Sequence, residues 1–424
     1  MERSRNAKGG LVGMKAVVFT LGCKVNECES DSLIAGLSAL GYEVSDRLEN
    51  ADLYIINTCA VTSEAEKKSR QTASRVLKLN PNAQIIYTGC ASQKAPESFL
   101  NKPNVKLVSG SFSKDKILSA LNESGIMLAN EPTEYEELNV VKTLKKRTYV
   151  KVQDGCNNFC SYCIIPYLRG RNRSRNPEKV VEEINLVKPS EAVINGINLS
   201  AYNYNGLGLK DLIKRLSSVD CRIRLGSLEV RVITEEFLTA LKGLKDFAPH
   251  FHLSLQSGSN AVLKDMNRHY TREEFIEKVK LIRKHFAFAG ITTDIIVGYP
   301  TESESDFEQS LSLAKECEFS DIHPFIFSAR EGTKAYKLKE LPSSVKKARM
   351  EKMLALKGEL KQSFLKKSLG STLKVLIEEK VGEYYQGYSE NYLRVYLKQA
   401  PKTDMVKVKV VSVYEDGVLA EIIE

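Results

Sequence analysis

Residues 154–175 read DGCNNFCSYCIIPYLRGRNRSR and begin at the end of the strand-like run TYVKVQD. Cys156, Cys160 and Cys163 stand in a CxxxCxxC spacing. Thiolates are soft ligands that select iron–sulfur clusters and zinc, and three of them can hold three irons of a 4Fe-4S cluster. A closed zinc site needs a fourth ligand, but neither Cys nor His follows within the next fifty residues. The spacing favours a cluster with one open iron; a zinc site or buried thiols are the alternatives.

An open iron suits a chelating small molecule, and S-adenosylmethionine (SAM) carries an amino group and a carboxylate that can chelate it. From residue 147 onward, strand-like runs each precede a helical segment: TYVKVQD, EAVINGI, RIRLGSLE, HFHLSLQ, TTDIIVGY and DIHPFIFS. This alternation predicts an α/β domain over residues 142–367, a partial parallel (β/α)6 barrel whose last helix covers roughly 343–367. Barrel active sites lie at the carboxyl ends of the strands, so we expect the cluster and SAM to share a cavity there.

A second set of cysteines lies upstream, where residues 14–128 also alternate between β-runs and amphipathic stretches. That alternation predicts a doubly wound parallel sheet. Cys23, Cys59 and Cys90 each come one or two residues after a β-run, so all three should meet at the carboxyl edge of the sheet, where such folds bind ligands. We interpret them as ligands of a second three-cysteine cluster; buried structural thiols are the alternative.

The rest of the chain divides by composition. Residues 1–13 are predicted as an N-terminal tail, and the acidic, aperiodic stretch 129–141 as a linker. Residues 368–424 contain short alternating strands separated by turn residues, which predicts a small antiparallel β-barrel.

Composition argues against a membrane protein or a secreted protein. The chain has 424 residues, nine cysteines and a net charge of +9, and no run approaches the ~20 apolar residues of a membrane helix. The first thirteen residues lack the apolar stretch of a signal peptide, so we expect a cytoplasmic protein whose cysteines are not disulfides. Outside the two sets, Cys28, Cys221 and Cys317 are interpreted as core or surface thiols. The five histidines are interpreted as structural or substrate-proximal.

The motifs GCKVN, INTCAVT, GCNNFCSYCIIP and AREGT, together with the three-domain order, resemble the methylthiotransferase family of radical-SAM enzymes. The resemblance covers the chain from Met14 to the C-terminus and extends to a C-terminal TRAM domain, which binds RNA. GCKVN is similar to the MtaB branch, which acts on threonylcarbamoyl-adenosine in tRNA. The isopentenyladenosine branch usually shows GCQMN and the ribosomal-protein aspartate branch GCPKN, and those two substrates remain the alternatives.

This resemblance implies a reaction at C2 of the modified adenosine at position 37, beside the tRNA anticodon, where C–H becomes C–SCH3. It implies two 4Fe-4S clusters and two SAM molecules, one a methyl donor and the other cleaved reductively. It also implies the tRNA anticodon stem-loop as partner, a reductant of the flavodoxin type and a sulfur source. An unactivated aromatic C–H offers no acid, base or leaving group to side chains, so the cofactors must supply the chemistry.

Residue roles carry over from the family in the same way. Cys156, Cys160 and Cys163 would hold the radical cluster, with Tyr162 near the SAM adenine. Gly196 and Asn198 stand where the SAM amino group usually binds, although the Gly-Gly-Glu form is absent. Further polar residues near the ends of barrel strands are expected to face the same cavity: Glu229, Gln256 and Asp294.

Basic residues concentrate around the CxxxCxxC motif, with nine of them and one acidic residue between Lys142 and Arg175. A solvated surface is the usual meaning of such a run, but its position at the cavity mouth favours phosphate contacts. The predicted RNA contacts are Arg169, Arg171, Arg173, Arg175 and, in the C-terminal barrel, Arg394. Four tyrosines near Arg394 suit unpaired bases or, equally, core and turn positions: Tyr384, Tyr385, Tyr388 and Tyr392. The alternative from another class is a non-catalytic iron–sulfur or zinc RNA-binding protein.

Overall fold

Parallel strands build the N-terminal sheet in the computed structural model, which describes residues 13–138 and 145–423. The sheet order is β2-β1-β3-β4-β5-β6, and every neighbouring pair is parallel. The strands are β1 (Lys15–Thr20), β2 (Glu43–Ser45), β3 (Leu53–Thr58), β4 (Gln84–Gly89), β5 (Val105–Ser109) and β6 (Gly125–Met127). The helices are α1 (Lys24–Ala39), α2 (Ser63–Leu79), α3 (Cys90–Lys94), α4 (Glu97–Leu100) and α5 (Lys116–Ser119). The predicted doubly wound sheet is confirmed.

The chain divides into two compact units that cut across the predicted domains. The first joins the N-terminal sheet to Tyr149–Val187 and Ser328–Tyr336. The second contains Lys145–Thr148, Lys188–Phe327 and the C-terminal part from Lys337. The CxxxCxxC segment therefore belongs with the N-terminal sheet, although the sequence suggested a boundary before it. The physical reason is apolar burial, because Ile164 and Leu168 belong to the same core cluster as Cys90 and the β4 side chains.

The cysteine-bearing segment combines strands and helices with an irregular loop at the cysteines themselves. It begins with β7 (Arg147–Asp154) and continues through α6 (Ile165–Arg169), β8 (Arg173–Ser174) and α7 (Pro177–Val187). β8 pairs antiparallel with β7. The predicted linker, as far as residue 138, packs on this unit: Tyr135 donates to the Lys151 carbonyl at 2.7 Å, and Glu136 accepts from the Ser113 amide at 2.8 Å. The predicted tail, apart from Gly13, and residues 139–141 of the linker lie outside the described residues.

The second unit continues the strand and helix alternation. Its parallel strands are β9 (Glu191–Gly196), β12 (Arg222–Leu225), β13 (Ser227–Leu228), β14 (His250–Gln256), β15 (Gly290–Val297) and β16 (Asp321–Ile326), with a short antiparallel ribbon of β10 (Asn203–Tyr204) and β11 (Leu207–Gly208). Within the unit β9 pairs with β12, and β13-β14-β15-β16 form a sheet. The helices are α8 (Leu209–Leu216), α9 (Glu235–Lys242), α10 (Asn260–Asp265), α11 (Arg272–His285), α12 (Glu304–Cys317) and α13 (Ser343–Lys367). The predicted β/α alternation and the long last helix are both present.

The C-terminal strands close into a barrel of order β17-β18-β19-β21-β20. They are β17 (Thr372–Val381), β18 (Tyr384–Ser389), β19 (Arg394–Leu397), β20 (Met405–Tyr414) and β21 (Gly417–Ile422). One contact departs from the predicted antiparallel pattern, because β19 and β21 pair in parallel. Phe364 and Leu365 at the end of α13 lie in the barrel core, which ties the barrel to the rest of the second unit.

A buried ion cluster strengthens that tie. The Glu191 carboxylate accepts from Arg147 at 2.5 Å, from Arg222 at 2.5 Å and from Arg224 at 2.9 and 3.0 Å. Arg222 and Arg224 also donate to backbone carbonyls of the C-terminal barrel, among them that of Ser389 at 2.9 Å. Burial favours the neutral carboxyl, but the three guanidinium groups hold the Glu191 pKa below its usual range.

Candidate functional site

The three N-terminal cysteines follow neighbouring strands of the first unit. Cys23 comes after β1, Cys59 after β3 and Cys90 after β4, and β1-β3-β4 are adjacent in the sheet. The carboxyl ends of parallel strands meet at one edge, and here each thiol lies within electrostatic range of the other two. The structure therefore brings this set together, as the sequence predicted.

Two glycines make that approach possible. A Cβ at Gly22 would lie 2.8 Å from the Cys59 Sγ, and one at Gly89 would lie 2.5 Å from the Thr58 carbonyl oxygen. Both glycines have positive φ, +105° and +103°, a region that L side chains rarely adopt. Glycine is thus required at the residue before Cys23 and at the residue before Cys90.

Burial shapes the acidity of these thiols. Cys59 and Cys90 are buried, and desolvation raises the pKa of Cys59 to about 12. Cys23 lies in the exposed part of its loop, but enough protein surrounds its Sγ that desolvation raises its pKa as well. A thiol in such surroundings becomes a thiolate only when positive charge balances it.

Arg169 brings that charge to the cysteines. Its Nε donates to the Cys90 Sγ at 3.2 Å, and its side chain is fully buried. The rest of the guanidinium donates to Glu29 at 2.8 and 3.0 Å, to Asp154 at 3.2 Å and to Asn26 at 2.7 Å. Burial alone would lower the Arg169 pKa, but Cys90, Glu29 and Asp154 hold it well above its usual range.

Two buried lysines complete this cluster. Lys114 donates to Glu29, and Lys151 donates to Glu29 at 3.2 Å and to Asp154 at 2.8 Å. Although burial favours neutral carboxyls, these cations and Arg169 hold the Glu29 pKa well below its usual range and that of Asp154 at about 2. Three cations thus meet two carboxylates, and the excess positive charge adjoins the cysteines.

A buried excess of positive charge is costly unless an anion neutralises it. The Cys90 Sγ is the sulfur of the N-terminal set that the Arg169 side chain contacts directly. Within residues 13–138 and 145–423, no three His, Cys, Asp or Glu side chains are placed to hold a single metal ion. An iron–sulfur cluster does not need its ligands to converge on one ion, because they surround a cube of several atoms. The donor set and the charge beside it fit an anionic cluster with three thiolate ligands.

The CxxxCxxC loop lies in the same unit. The Cys156 amide donates to the Gly170 carbonyl at 3.0 Å, and the Cys163 amide donates to the Cys160 carbonyl at 3.0 Å. Gly155 has φ +69°, and a Cβ there would lie 1.9 Å from the Arg171 carbonyl oxygen. The turn that presents Cys156 therefore requires glycine. Tyr162, between the last two cysteines, is half-buried.

An aromatic and cationic cluster accompanies this loop. Phe159 has φ +47°, which is strained for a bulky residue. The Arg171 guanidinium lies 4.5 Å from the Phe159 ring centroid, and the Tyr167 ring meets Phe159 edge-on at 5.5 Å. Arg171 and Tyr167 are exposed. These three side chains, here called the Phe159 platform, can stack on a planar ligand and contact an anion.

The other arginines of the motif have internal roles, which corrects their prediction as RNA contacts. Arg169, Arg173 and Arg175 are buried. Arg173 donates to the carbonyls of Arg169 and Arg171 at 3.0 and 2.8 Å, and Arg175 donates to Glu183 at 2.6 Å. A guanidinium already enclosed by protein acceptors does not reach a phosphate. The sequence shows that a residue is charged, but it does not show whether its side chain is buried or exposed.

The predicted SAM residues of the second unit lie near strand ends. Gly196 is the last residue of β9, and Asn198 is buried beside a 3-10 helix that begins at Leu199. Gln256 is the last residue of β14 and has φ +71°, at a break in the strand register. Glu229 follows β13 and accepts from Arg268 at 3.2 Å.

Asp294 departs from its predicted place, because it lies within β15 and not at its end. Its carboxylate meets His252 Nε2 at 3.0 Å, and His323 is its register partner on β16. Burial and the nearby His252 lower the His323 pKa. The sequence suggested that the histidines are structural or close to substrate, but it did not pair them with Asp294, since that contact depends on strand register.

In the C-terminal barrel, the tyrosines separate into two groups. Tyr392 stacks between His250 at 4.4 Å and Tyr388 at 4.7 Å, which favours the structural alternative for these two tyrosines. Tyr384 is half-buried and lies 6.0 Å from the Lys398 ammonium. Arg394 is half-buried and pairs with Asp416 at 3.2 Å.

Comparisons with known proteins agree with this division of cysteines. Residues 15–110 match the family described as uncharacterized protein family UPF0004, and residues 150–314 match the radical SAM superfamily. The threonylcarbamoyladenosine tRNA methylthiotransferase MtaB of Bacillus subtilis is 34% identical over 97% of this chain and 98% of its own length. A tRNA-2-methylthio-N(6)-dimethylallyladenosine synthase of Clostridium novyi is 36% identical over 85% of both chains.

Among solved structures, the radical SAM methyltransferase TsrM from Kitasatospora setae superposes with a TM-score of 0.53 at 12% identity, over 74% of this chain and 72% of that one. This similarity supports the fold alone. No helix within the described residues is long and apolar enough to cross a bilayer. The superfamily implies one 4Fe-4S cluster and SAM as cofactors, and the non-catalytic alternative is excluded. The sequence relationship extends over both cysteine sets, and the chain belongs to the MtaB family of radical-SAM tRNA methylthiotransferases.

Proposed function

We propose that this enzyme converts N6-threonylcarbamoyladenosine at position 37 of tRNA to its 2-methylthio derivative. The observation that carries the proposal is the presence of two three-cysteine sets in the first unit, one on the strand edge and one on the CxxxCxxC loop. The names of the MtaB relatives support the nucleoside, and those of the dimethylallyladenosine synthases supply the competing substrate.

The proposal gives Cys23, Cys59 and Cys90 a second 4Fe-4S cluster. Their adjacent strand ends, the two glycines that allow close approach and the excess buried charge at Arg169 support this assignment. When bound, the two clusters and SAM would supply a sulfur carrier, an electron and a radical. The protein would position them and exclude water.

Cys90→Ala is expected to separate the two halves of the reaction. The variant keeps the CxxxCxxC loop, so SAM should still be cleaved, but the methylthio product should fall below detection. Chromatography of 5′-deoxyadenosine and mass spectrometry of the nucleosides measure the two outcomes. Cys28→Ala is the matched control, because Cys28 is buried one turn into α1 and belongs to neither set. Full thiolation by Cys90→Ala would refute the second cluster.

The SAM contacts are part of the proposal. Tyr162 would lie against the adenine, and Gly196 and Asn198 would receive the amino group. Glu229, Gln256 and Asp294 are proposed as further SAM contacts within the second unit. The pairing of Glu229 with Arg268 and of Asp294 with His252 fixes their side chains. A fixed carboxylate costs less entropy on binding than a free one.

For RNA binding, we propose contacts by the Phe159 platform instead of the buried Arg169, Arg173 and Arg175. The exposed Tyr167 ring, beside the half-buried Phe159 and the Arg171 cation, suits an unpaired base and its phosphate. Arg171 would contact the phosphate, Tyr167 the base, and Arg394 is retained as a second contact on the C-terminal barrel. The reductant is proposed to be of the flavodoxin type and the sulfur source to be a separate donor. A cytoplasmic location is proposed because the substrate is tRNA.

Arg171→Gln is expected to weaken binding of an anticodon stem-loop and to reduce the slope of log K against log salt by about 0.7, the value for one phosphate on a single strand. Fluorescence anisotropy across a salt series measures this. Lys179→Gln is the matched control, because Lys179 is exposed and pairs with Glu182. An unchanged slope in Arg171→Gln would remove Arg171 from the interface.

The substrate is tested by turnover. Reconstituted enzyme receives SAM, reductant, a sulfur source and one of three substrates: tRNA with threonylcarbamoyladenosine, tRNA with isopentenyladenosine, or a ribosomal-protein aspartate peptide. We expect a methylthio product from the first alone. Preferred turnover of either other substrate would overturn the proposal and assign this enzyme to the branch that acts on that substrate.

A further inference from the structure

The dipeptide Arg169–Gly170 contacts a proposed ligand of each cluster. The Arg169 side chain donates from Nε to the Cys90 Sγ at 3.2 Å. The next carbonyl along the chain, that of Gly170, accepts from the Cys156 amide at 3.0 Å. All of these residues belong to the first unit. Two adjacent residues therefore link the strand-edge cysteines to the CxxxCxxC loop.

The geometry of this dipeptide is firmly held. The Arg169 guanidinium is fixed by Glu29, Asp154 and Asn26, and its carbonyl accepts from Arg173 at 3.0 Å. Gly170 has φ +68° and ψ −159°, a combination available almost exclusively to glycine. A Cβ at Gly170 would also lie 2.3 Å from the Glu131 Oε1. Neither residue can shift without breaking several contacts.

We propose that Arg169 is a positioning residue for the N-terminal cluster, one that fixes Cys90 relative to the CxxxCxxC loop and raises the reduction potential of the cluster through its N–H···S bond. The inference rests on the proposed second cluster. Hydrogen bonds to ligand sulfurs withdraw electron density from the cluster, which favours its reduced form. An arginine that is fully buried, charged and aimed at one ligand sulfur supplies such a bond in a site from which water is largely excluded.

A comparison of Arg169 with Lys114 separates the effect of the N–H···S bond from the effect of positive charge alone. Lys114 is also buried and also contacts Glu29, but its own hydrogen bonds go to Glu29 and Asn57. Removing Lys114 deletes a positive charge from the same cluster and leaves the N–H···S bond. Replacing Arg169 with lysine keeps the charge and removes the planar donor fork.

The experiment uses the full chain carrying Cys156→Ala, Cys160→Ala and Cys163→Ala, in which the N-terminal cluster is the remaining iron centre. Potentiometric titration followed by electron paramagnetic resonance gives its midpoint potential. We expect Arg169→Lys to lower the potential more than Lys114→Gln does. In the chain with all its cysteines, Arg169→Lys should also yield less methylthio product per SAM cleaved, while SAM cleavage itself continues.

An unchanged potential in Arg169→Lys, or an equal shift in Lys114→Gln, would overturn the inference while leaving the second cluster in place. Absence of iron from the triple cysteine variant would instead refute the second cluster and this inference with it. Should Arg169→Lys fail to fold, Glu29→Gln with Arg169→Gln removes one buried charge of each sign and tests the same potential.

Discussion

Cys156→Ala is expected to abolish reductive cleavage of SAM. The backbone contact of residue 156 with the Gly170 carbonyl is made by its amide and survives the substitution, so the loop should keep its path. The substitution removes one of the three thiolates that would hold the cluster with one iron open to SAM. It also removes the contact of the Asn158 amide with the Cys156 Sγ at 3.5 Å. With two cysteines left in the motif, the cluster cannot be held with an open iron.

The measurement is 5′-deoxyadenosine formed per chain after anaerobic reconstitution with SAM and dithionite. Cys221→Ala is the matched control, since Cys221 lies outside both sets and should leave cleavage unchanged. Cleavage by Cys156→Ala at more than a few per cent of the parent rate would show that the radical cluster has other ligands.

Glu191→Ala is expected to lower the free energy of unfolding by about 3–5 kcal/mol, the cost of breaking a buried ion pair from one side. The substitution leaves Arg147, Arg222 and Arg224 buried beside one another without their shared carboxylate. Because Arg222 and Arg224 also donate to carbonyls of the C-terminal barrel, the contact between that barrel and the central strands should loosen too.

Urea unfolding followed by circular dichroism measures the loss, and limited proteolysis after α13 reports on the barrel. Glu182→Ala is the control: Glu182 is exposed and its pair with the exposed Lys179 is solvated, so little change is expected. Since the folded-state pKa of Glu191 is depressed, its stabilising effect is complete at neutral pH and declines as pH falls below the ordinary carboxyl range. A Glu191→Ala protein as stable as the parent would contradict this account of the ion cluster.

Much of the fold and the placement of both cysteine sets could be predicted from local sequence. Cys23, Cys59 and Cys90 each follow a β-run, and a parallel sheet converts that common position into proximity. The spacing of Cys156, Cys160 and Cys163 identifies a cluster motif before any packing is known.

What could not be predicted depends on long-range packing. Arg169 lies in a basic run that suggests a surface, yet it contacts Glu29 and Cys90, which are 140 and 79 positions away in sequence. No periodic pattern in the sequence indicates such a long-range contact. The same holds for Asp294 and His252, whose contact follows from strand register, and for Ile164 and Leu168, whose burial places the cysteine loop with the N-terminal sheet.

The most direct test of two clusters is an iron and sulfide count on anaerobically reconstituted protein. We predict about eight irons and eight sulfides per chain in the parent. About four of each should remain when Cys156, Cys160 and Cys163 are replaced with alanine, and about four when Cys23, Cys59 and Cys90 are replaced instead. A parent that saturates near four irons, or a variant of the CxxxCxxC motif that retains none, would contradict the presence of two clusters.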